Sequence, residues 1–386
     1  MSAHERADAA IDASRDALLA LSRTIHANPE LGYEEFISSA ATADAAENAG
    51  FTVEREAAGL ATAFRATAGS GRFTIAFCAE FDALPDVGHA CGHNIIAASS
   101  VGAAIGLAAV ANEIDARVVL LGTPSEEGGG GKIDLINAGY FDDVHAAMMI
   151  HPWPTERLEA ACLAVDHFDV IFTGKDAHAS AAPWEGRNAL DAFTIANVAL
   201  ALLRQQLPPG DQFHGILAEG GSAANIIPAS TVVRFMCRSV TSERLAALRV
   251  RVNKCFDAAA LATGCDVRIE ELGHQFSHMV SDTGLLAHYR REAEALGRSF
   301  DLDDAGAPLP TISTDMANVS LVVPSIHPLL RIETNGAVNH QPEFTAACVT
   351  PSADVAIVDG ARALARTAID AALDEPLRQR LMEARA

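Results

Sequence analysis

The chain has 386 residues, 49% hydrophobic and 20% charged, with 28 basic against 50 acidic side chains and a net charge of -22. That length suffices for two domains and a sizeable core. The acidic balance, with no basic cluster to offset it, argues against nucleic acid and anionic membrane surfaces as partners.

The first residues, "MSAHERADAAIDASRD", are charged and lack the apolar segment of a signal peptide. Seven cysteines are scattered without a CxxC pair, so no disulfide framework is expected. A cytoplasmic protein is the reading. Up to residue 50, apolar and charged positions alternate at helical spacing, as in "RDALLALSRTIHANPE". Strand-like runs follow: "GLATAFRAT", "RFTIAFCAEF" and "RVVLLGTPSEE". Helices are expected at about 92–112 and at "KIDLINAGY", then one further buried strand, "HAAMMIHPW". The 17 uncharged residues from Ile95 to Ala111 are rich in Ala, Gly and Ser, which reads as a buried helix and not a membrane span. Strands alternating with helices predict an α/β catalytic domain, a mixed sheet covered by helices.

The pattern changes near residue 166. From "DHFDVIFTG" to "DVRIEEL" the order is βαββαβ, a ferredoxin-like α+β unit. The earlier style returns near 280, and the last helix is expected from Pro351 with Thr350 as its N-cap. The predicted organisation is therefore a discontinuous catalytic domain, 1–165 and 280–386, with a lid domain inserted at 166–279.

Chemistry gathers where strands end. "GHACGHN" places Cys91 and His93 between a strand and the next helix, at the carboxyl edge where open sheets bind ligands. Alone, Cys-x-His equally describes a core cysteine beside a surface histidine. "GTPSEEGGGGK" brings Glu126 and Glu127 to the same edge. Adjacent carboxylates repel, and a cation on one relieves them, leaving the other free as a general base. A phosphate loop is excluded, because Ile133 follows Lys132 where Ser or Thr belongs. His151 ends a buried strand, and His340 lies in a loop before the last helix. Cys91, His93, Glu127 or Glu126, His151 and His340 form a set large enough for two divalent metal ions. Imidazole, carboxylate and thiolate together suit zinc, manganese or cobalt.

The segments "IHANPELGYEE", "AEFDALPDVGHACGHN", "GTPSEEGGGGKIDLINAGYFDDV", "MMIHPWP", "GKDAHASAAPWEGRNALDA", "NIIP" and "STDMANVSLVVPSIHP" resemble the M20 family of metallopeptidases over nearly the whole chain. They are most similar to its amidohydrolase branch, with indole-acetyl-amino-acid hydrolases, aminobenzoyl-glutamate hydrolase subunits and dipeptidases. The resemblance implies that Cys91, His93, Glu127, His151 and His340 ligate two metals and that Glu126 is the general base. It implies that His178 polarises the scissile carbonyl from the partner subunit of a homodimer built through lid domains. Asn225 and Arg238 would hold the substrate and its carboxylate. Asp82 matches an aspartate that supports a metal-ligating histidine, and Glu80 stands where other branches carry a histidine ligand. His26 and His89 read as structural or supporting residues. Asn94 stands where many relatives carry Asp, so the lost charge is expected to act on metal affinity or substrate orientation.

The combined expectation is hydrolysis of an N-acyl amino acid or dipeptide by metal-activated water. Three other readings stand beside it. Cys91 as a thiolate nucleophile with His93 as base leaves four candidate ligands unused. A catalytically silent metal- or ligand-binding protein would not need Glu126. A hydrolytic deaminase would use the same site.

Overall fold

Phe73–Ala79 is apolar or small at nearly every position and buried at all of them, the signature of a strand covered on both faces. In the computed structural model, which describes residues 1–384, it lies inside a six-stranded sheet. The strand order is Thr52–Arg55, Phe64–Ala68, Ala116–Gly122, Phe73–Ala79, Ala146–Met148 and Ser325–Ile326. The first two pairings are antiparallel and the other three parallel, so the sheet is mixed. Alternation along the strands divides the core. Ile75, Phe77, Val118 and Leu120 pack with residues of helices Ala3–Ala27, His93–Ala108 and Pro351–Leu373. Ala76, Cys78, Val119 and Leu121 pack with Leu135 and Met316, from short helices.

Helix His93–Ala108 is buried on nearly all sides, as an uncharged helix without polar stripe must be. Its small residues are a packing requirement. A Cβ on Gly102 would come within 2.7 Å of the Ala361 Cβ and 2.9 Å of a Leu18 methyl. No helix of the described residues is long and apolar enough to cross a membrane.

Two local expectations are corrected. Residues 145–153 form two strands, not one. Ala146–Met148 pairs with Ser325–Ile326 in the main sheet, whereas His151–Trp153 pairs with Leu329–Arg331 beyond it. The change of partner lifts His151 out past the end of the sheet. Thr350 does occupy the N-cap position, but its hydroxyl donates back to the Ala347 carbonyl at 2.9 Å and does not cap the helix. That helix ends at Leu373, and a further helix, Glu375–Glu383, starts on an Asp374 side-chain cap.

The chain divides into two units: one runs from Met1 to Ala161 and resumes at Met279, and the other is Cys162–His278. The second has a four-stranded antiparallel sheet in the order Gln212–Glu219, Ser230–Ser239, Ala164–Thr173, Asp266–Glu271. Helices Ala189–Arg204 and Ser242–Thr263 share its core. Connection order and strand order are those of a ferredoxin-like fold.

Phe256, 1% exposed, sets its ring against Phe168, Phe172 and Phe235 at centroid distances of 6.4, 6.3 and 5.2 Å. Phe256→Ala is expected to destabilise this unit by about 3–5 kcal/mol. Denaturant melting read by lid-specific hydrogen exchange checks it, and an unchanged lid midpoint would refute the packing argument.

Candidate functional site

Three strand ends and one loop build the site. Strand Phe73–Ala79 runs into Glu80 and Asp82, and the loop beyond carries Cys91 to helix His93–Ala108. Gly92 makes the turn between them in the left-handed region, φ 74°. A Cβ there would lie 2.5 Å from Pro152, so glycine both permits the turn and lets the His151–Trp153 segment close in. Strand Ala116–Gly122 leads to Glu126 and Glu127. Ser125, just before them, has a left-handed φ of 58°, a strained value for a non-glycine residue. Glu35 holds that turn: it accepts from the Ser125 N–H at 2.8 Å and from the Thr62 hydroxyl at 2.8 Å. His340 also has a left-handed backbone, φ 69°, and its N–H donates to the Ala90 carbonyl at 3.0 Å. That bond ties its loop to the Cys91 loop.

These segments bring the five expected ligands together. Donor atoms of Cys91, His93 and His151 lie within 4.8 Å of one another, and so do those of Cys91, Glu127 and His340. Cys91 belongs to both groups. Asp82 organises the centre by accepting from His93 Nδ1 at 2.9 Å and from the Glu127 N–H at 2.9 Å. His93 Nε2 is thereby turned toward three carboxylates: Glu80 at 3.6 Å, Glu126 at 3.9 Å and Glu127 at 3.9 Å. His151 Nδ1 donates to the Pro152 carbonyl at 2.9 Å, which leaves its Nε2 as the lone-pair nitrogen. Burial pushes His151 down to about 4, so it stays neutral.

The electrostatics of the cluster are dominated by buried carboxylates. Burial, then the charges of Glu80 and Glu127, push Glu126 well above the carboxylate range. Burial opposes protonation of His93, but Asp82, Glu80 and Glu127 outweigh it and push His93 well up. Buried, crowded negative charge underlies both shifts, and a cation among these groups would lower both. Three buried atoms here lack a hydrogen-bond partner: Glu80 Oε2, His93 Nε2 and Glu127 Oε1. Orphaned acceptors around soft and hard donors are what a divalent transition metal satisfies. The residues present fit such a group. Burial and the Glu127 carboxylate push the Cys91 thiol well up, the opposite of the activation a nucleophilic cysteine requires.

The sequence reading left several residues unassigned. Lys132 is fully buried and donates to Glu80 at 2.5 Å and to Asp315 at 2.6 Å. Glu35 supports the Ser125 turn. His327 is buried with its ring 5.5 Å from that of His151. A lysine just after a glycine run and an aspartate in "STDMA" carry no spacing that betrays a pairing 183 residues apart.

The three lid residues lie in the other unit. His178 is exposed, and its Nδ1 accepts from the backbone N–H groups of Ser180 at 3.3 Å and Ala181 at 3.2 Å. The ring proton therefore sits on Nε2. Asn225 is exposed on the adjoining segment, its carbonyl accepting from the Ala179 N–H at 3.0 Å, and Ile226 pairs with His178. Arg238 is half-buried on strand Ser230–Ser239. His26 Nε2 donates to the Thr345 carbonyl at 2.9 Å, with its ring 6.2 Å from that of His89.

The chain is similar to several known proteins. Residues 165–263 match a family model described as a peptidase dimerisation domain. The chain is 41% identical to a Xaa-Arg dipeptidase of Mus musculus, over 95% of this chain and 88% of that protein. It is 32% identical to one of the polypeptides of the p-aminobenzoyl-glutamate hydrolase of Escherichia coli, over 66% of this chain and 58% of that one. Its fold matches a Bacillus subtilis structure described as a dinuclear metal-binding peptidase from the M20 family. The TM-score is 0.69 at 18% identity, over 93% of this chain and 99% of that one.

Asn94 has contacts that its motif does not reveal. Its amide donates to Ser22 Oγ at 2.8 Å and to the Cys348 carbonyl at 3.0 Å, so it ties the start of its helix to neighbouring segments. A carboxylate cannot donate either bond, so the change of charge acts on packing. Asn94→Asp should lower stability by about 1–3 kcal/mol while cation affinity stays within about twofold, because the side chain's partners lie in the helix packing. Thermal melting and cation titration test this together; intact stability with lost cation would restore the metal-affinity reading.

Proposed function

This chain belongs to the M20 peptidase family, and on that premise we propose that it is a metal-dependent amidohydrolase cleaving a dipeptide or N-acyl amino acid with a free carboxylate. The observation that carries the reading is the convergence of Cys91, His93, Glu127, His151 and His340 around orphaned buried acceptors. Those five residues would hold two divalent ions of zinc, manganese or cobalt. Bound there, the ions would supply a Lewis acid for the scissile carbonyl and a lowered pKa for water.

The chain's own groups do the rest. Glu126, buried beside the ligands, takes the proton of the attacking water and passes it to the leaving nitrogen. His178, with its proton on Nε2, donates to the oxygen on which charge develops. Arg238 and Asn225 bind the substrate's carboxylate. The name of the mouse relative makes a dipeptide with C-terminal arginine the first substrate to try. All seven cysteines are free thiols, which suits the proposed cytoplasmic setting.

A homodimer through the lid is part of the reading. Strand Gln212–Glu219 stands at a sheet edge with Ile216 and Leu217 exposed. Helix Ala189–Arg204 exposes Ile195, Val198 and Leu202 at spacings of one helical turn. An unpaired edge and an apolar stripe on one small unit suit a second copy related by two-fold symmetry.

Chelation should abolish hydrolysis, and zinc, manganese or cobalt should restore it; full activity after verified metal removal would end the metal reading. Glu126→Gln should keep cation and fold while kcat falls by about 10²–10⁴, whereas Glu127→Gln should lose cation. Exchanged phenotypes would reverse the base and ligand roles. Inactive His178→Ala and Glu126→Gln chains, co-refolded, should regain activity in heterodimers, since one site then combines an intact base with a partner's histidine. No recovery in confirmed heterodimers would place His178 in cis or outside the reaction.

A further inference from the structure

Behind the five ligands lies a second layer of charge. Lys132 is 0% exposed, as is Asp315, and Glu80 is 0% exposed. The lysine ammonium donates to Glu80 Oε1 at 2.5 Å and to Asp315 Oδ1 at 2.6 Å, and the Lys132 N–H donates to Asp315 Oδ2 at 3.0 Å. Both oxygens of Asp315 are thus used within the brace, but only one oxygen of Glu80. The other, Oε2, has no hydrogen-bond partner, is shielded from solvent, and lies 3.6 Å from His93 Nε2. At 3.6 Å the two atoms are too far apart to hydrogen-bond, so Glu80 Oε2 sits in a dry interior with no partner of its own. Donor atoms of Glu80, His93 and Glu126 also fall within 4.8 Å of one another, a third group of metal-ligating type that shares His93 with the Cys91–His93–His151 group.

We propose that Glu80 is a sixth donor to the metal centre, its Oε1 locked by Lys132 so that Oε2 is presented beside His93. The lock explains why a lysine is buried among acids. A free glutamate of this reach could rotate away from a cation, and two bonds from Lys132 to Glu80 and Asp315 prevent that. It also sets the local balance, one buried ammonium against two carboxylates, which leaves one negative charge for the cation. The inference rests on the proposed metal centre.

The test uses the full-length protein stripped of metal and refilled with Co²⁺ alone. Affinity is read by competition with a chromophoric chelator, and coordination by the Co²⁺ d–d absorption. Two variants are compared with wild type. Glu80→Met removes the donor and leaves Lys132 and Asp315 as a neutral pair. Glu80→Gln keeps an amide oxygen for Lys132 but turns its NH₂ toward His93. Wild type is expected to bind two Co²⁺ per chain. Both variants should hold one of them at least about 10-fold more weakly, with a changed d–d spectrum and a cooperative melt in the metal-free state. A merely structural residue would alter the melt without moving the spectrum. If Glu80→Met fails to fold, Glu80→Gln decides. A folded variant with wild-type affinity and an unchanged spectrum would overturn the role of Glu80 and leave the five-ligand centre standing. Wild type that binds no Co²⁺ would overturn the centre and Glu80 together.

Discussion

Four buried carboxylates, Glu80, Asp82, Glu126 and Asp315, crowd the carboxyl edge of one sheet, with Glu127 at their rim. Their mutual repulsion is the constraint on which the rest of the site depends. One buried ammonium, Lys132, answers part of it. The Asp82 carboxylate answers another part by accepting from both His93 and the Glu127 backbone. The remainder is left open on one side, where donor atoms of Cys91, His93, His151 and His340 gather. The proposed cation would complete the balance.

The scaffold makes such crowding affordable. The two faces of the sheet are filled by separate apolar clusters, so the strands are rigid and their ends are held in register. Strained or permissive backbone is confined to the ends. Gly92, Ser125 and His340 all adopt left-handed conformations within a residue of a proposed ligand or base, or at one. Glu35 and the Ala90 carbonyl hold two of these turns in place from neighbouring segments. Strain at these points positions donors that a relaxed turn would point elsewhere.

The second unit follows a different logic. Its core is a single apolar cluster of phenylalanine and aliphatic side chains shared with two helices, and His178 and Asn225 lie on exposed segments. His178 is oriented not by packing but by two backbone N–H groups that take up its Nδ1. A residue presented this way keeps one fixed tautomer while remaining accessible, which is what a donor to an incoming substrate needs.

Local sequence was enough for the fold class, the inserted βαββαβ order, and the placement of Cys91, His93, Glu126 and Glu127 just beyond strand ends. Those follow from periodicities of two and 3.6 and from short local motifs, which are properties of neighbouring residues. The same local signals misread residues 145–153 as one strand, because the switch of partner from Ser325–Ile326 to Leu329–Arg331 is made by segments far along the chain. The partners of Asn94, Ser22 and the Cys348 carbonyl, lie far from it in the chain and were likewise not legible. Lys132, Asp315 and Glu80 were legible as residues but not as a unit. Only the tertiary structure decided that they meet, since burial removes the water that would otherwise screen them, and a charge acquires a specific partner only where the fold excludes that solvent.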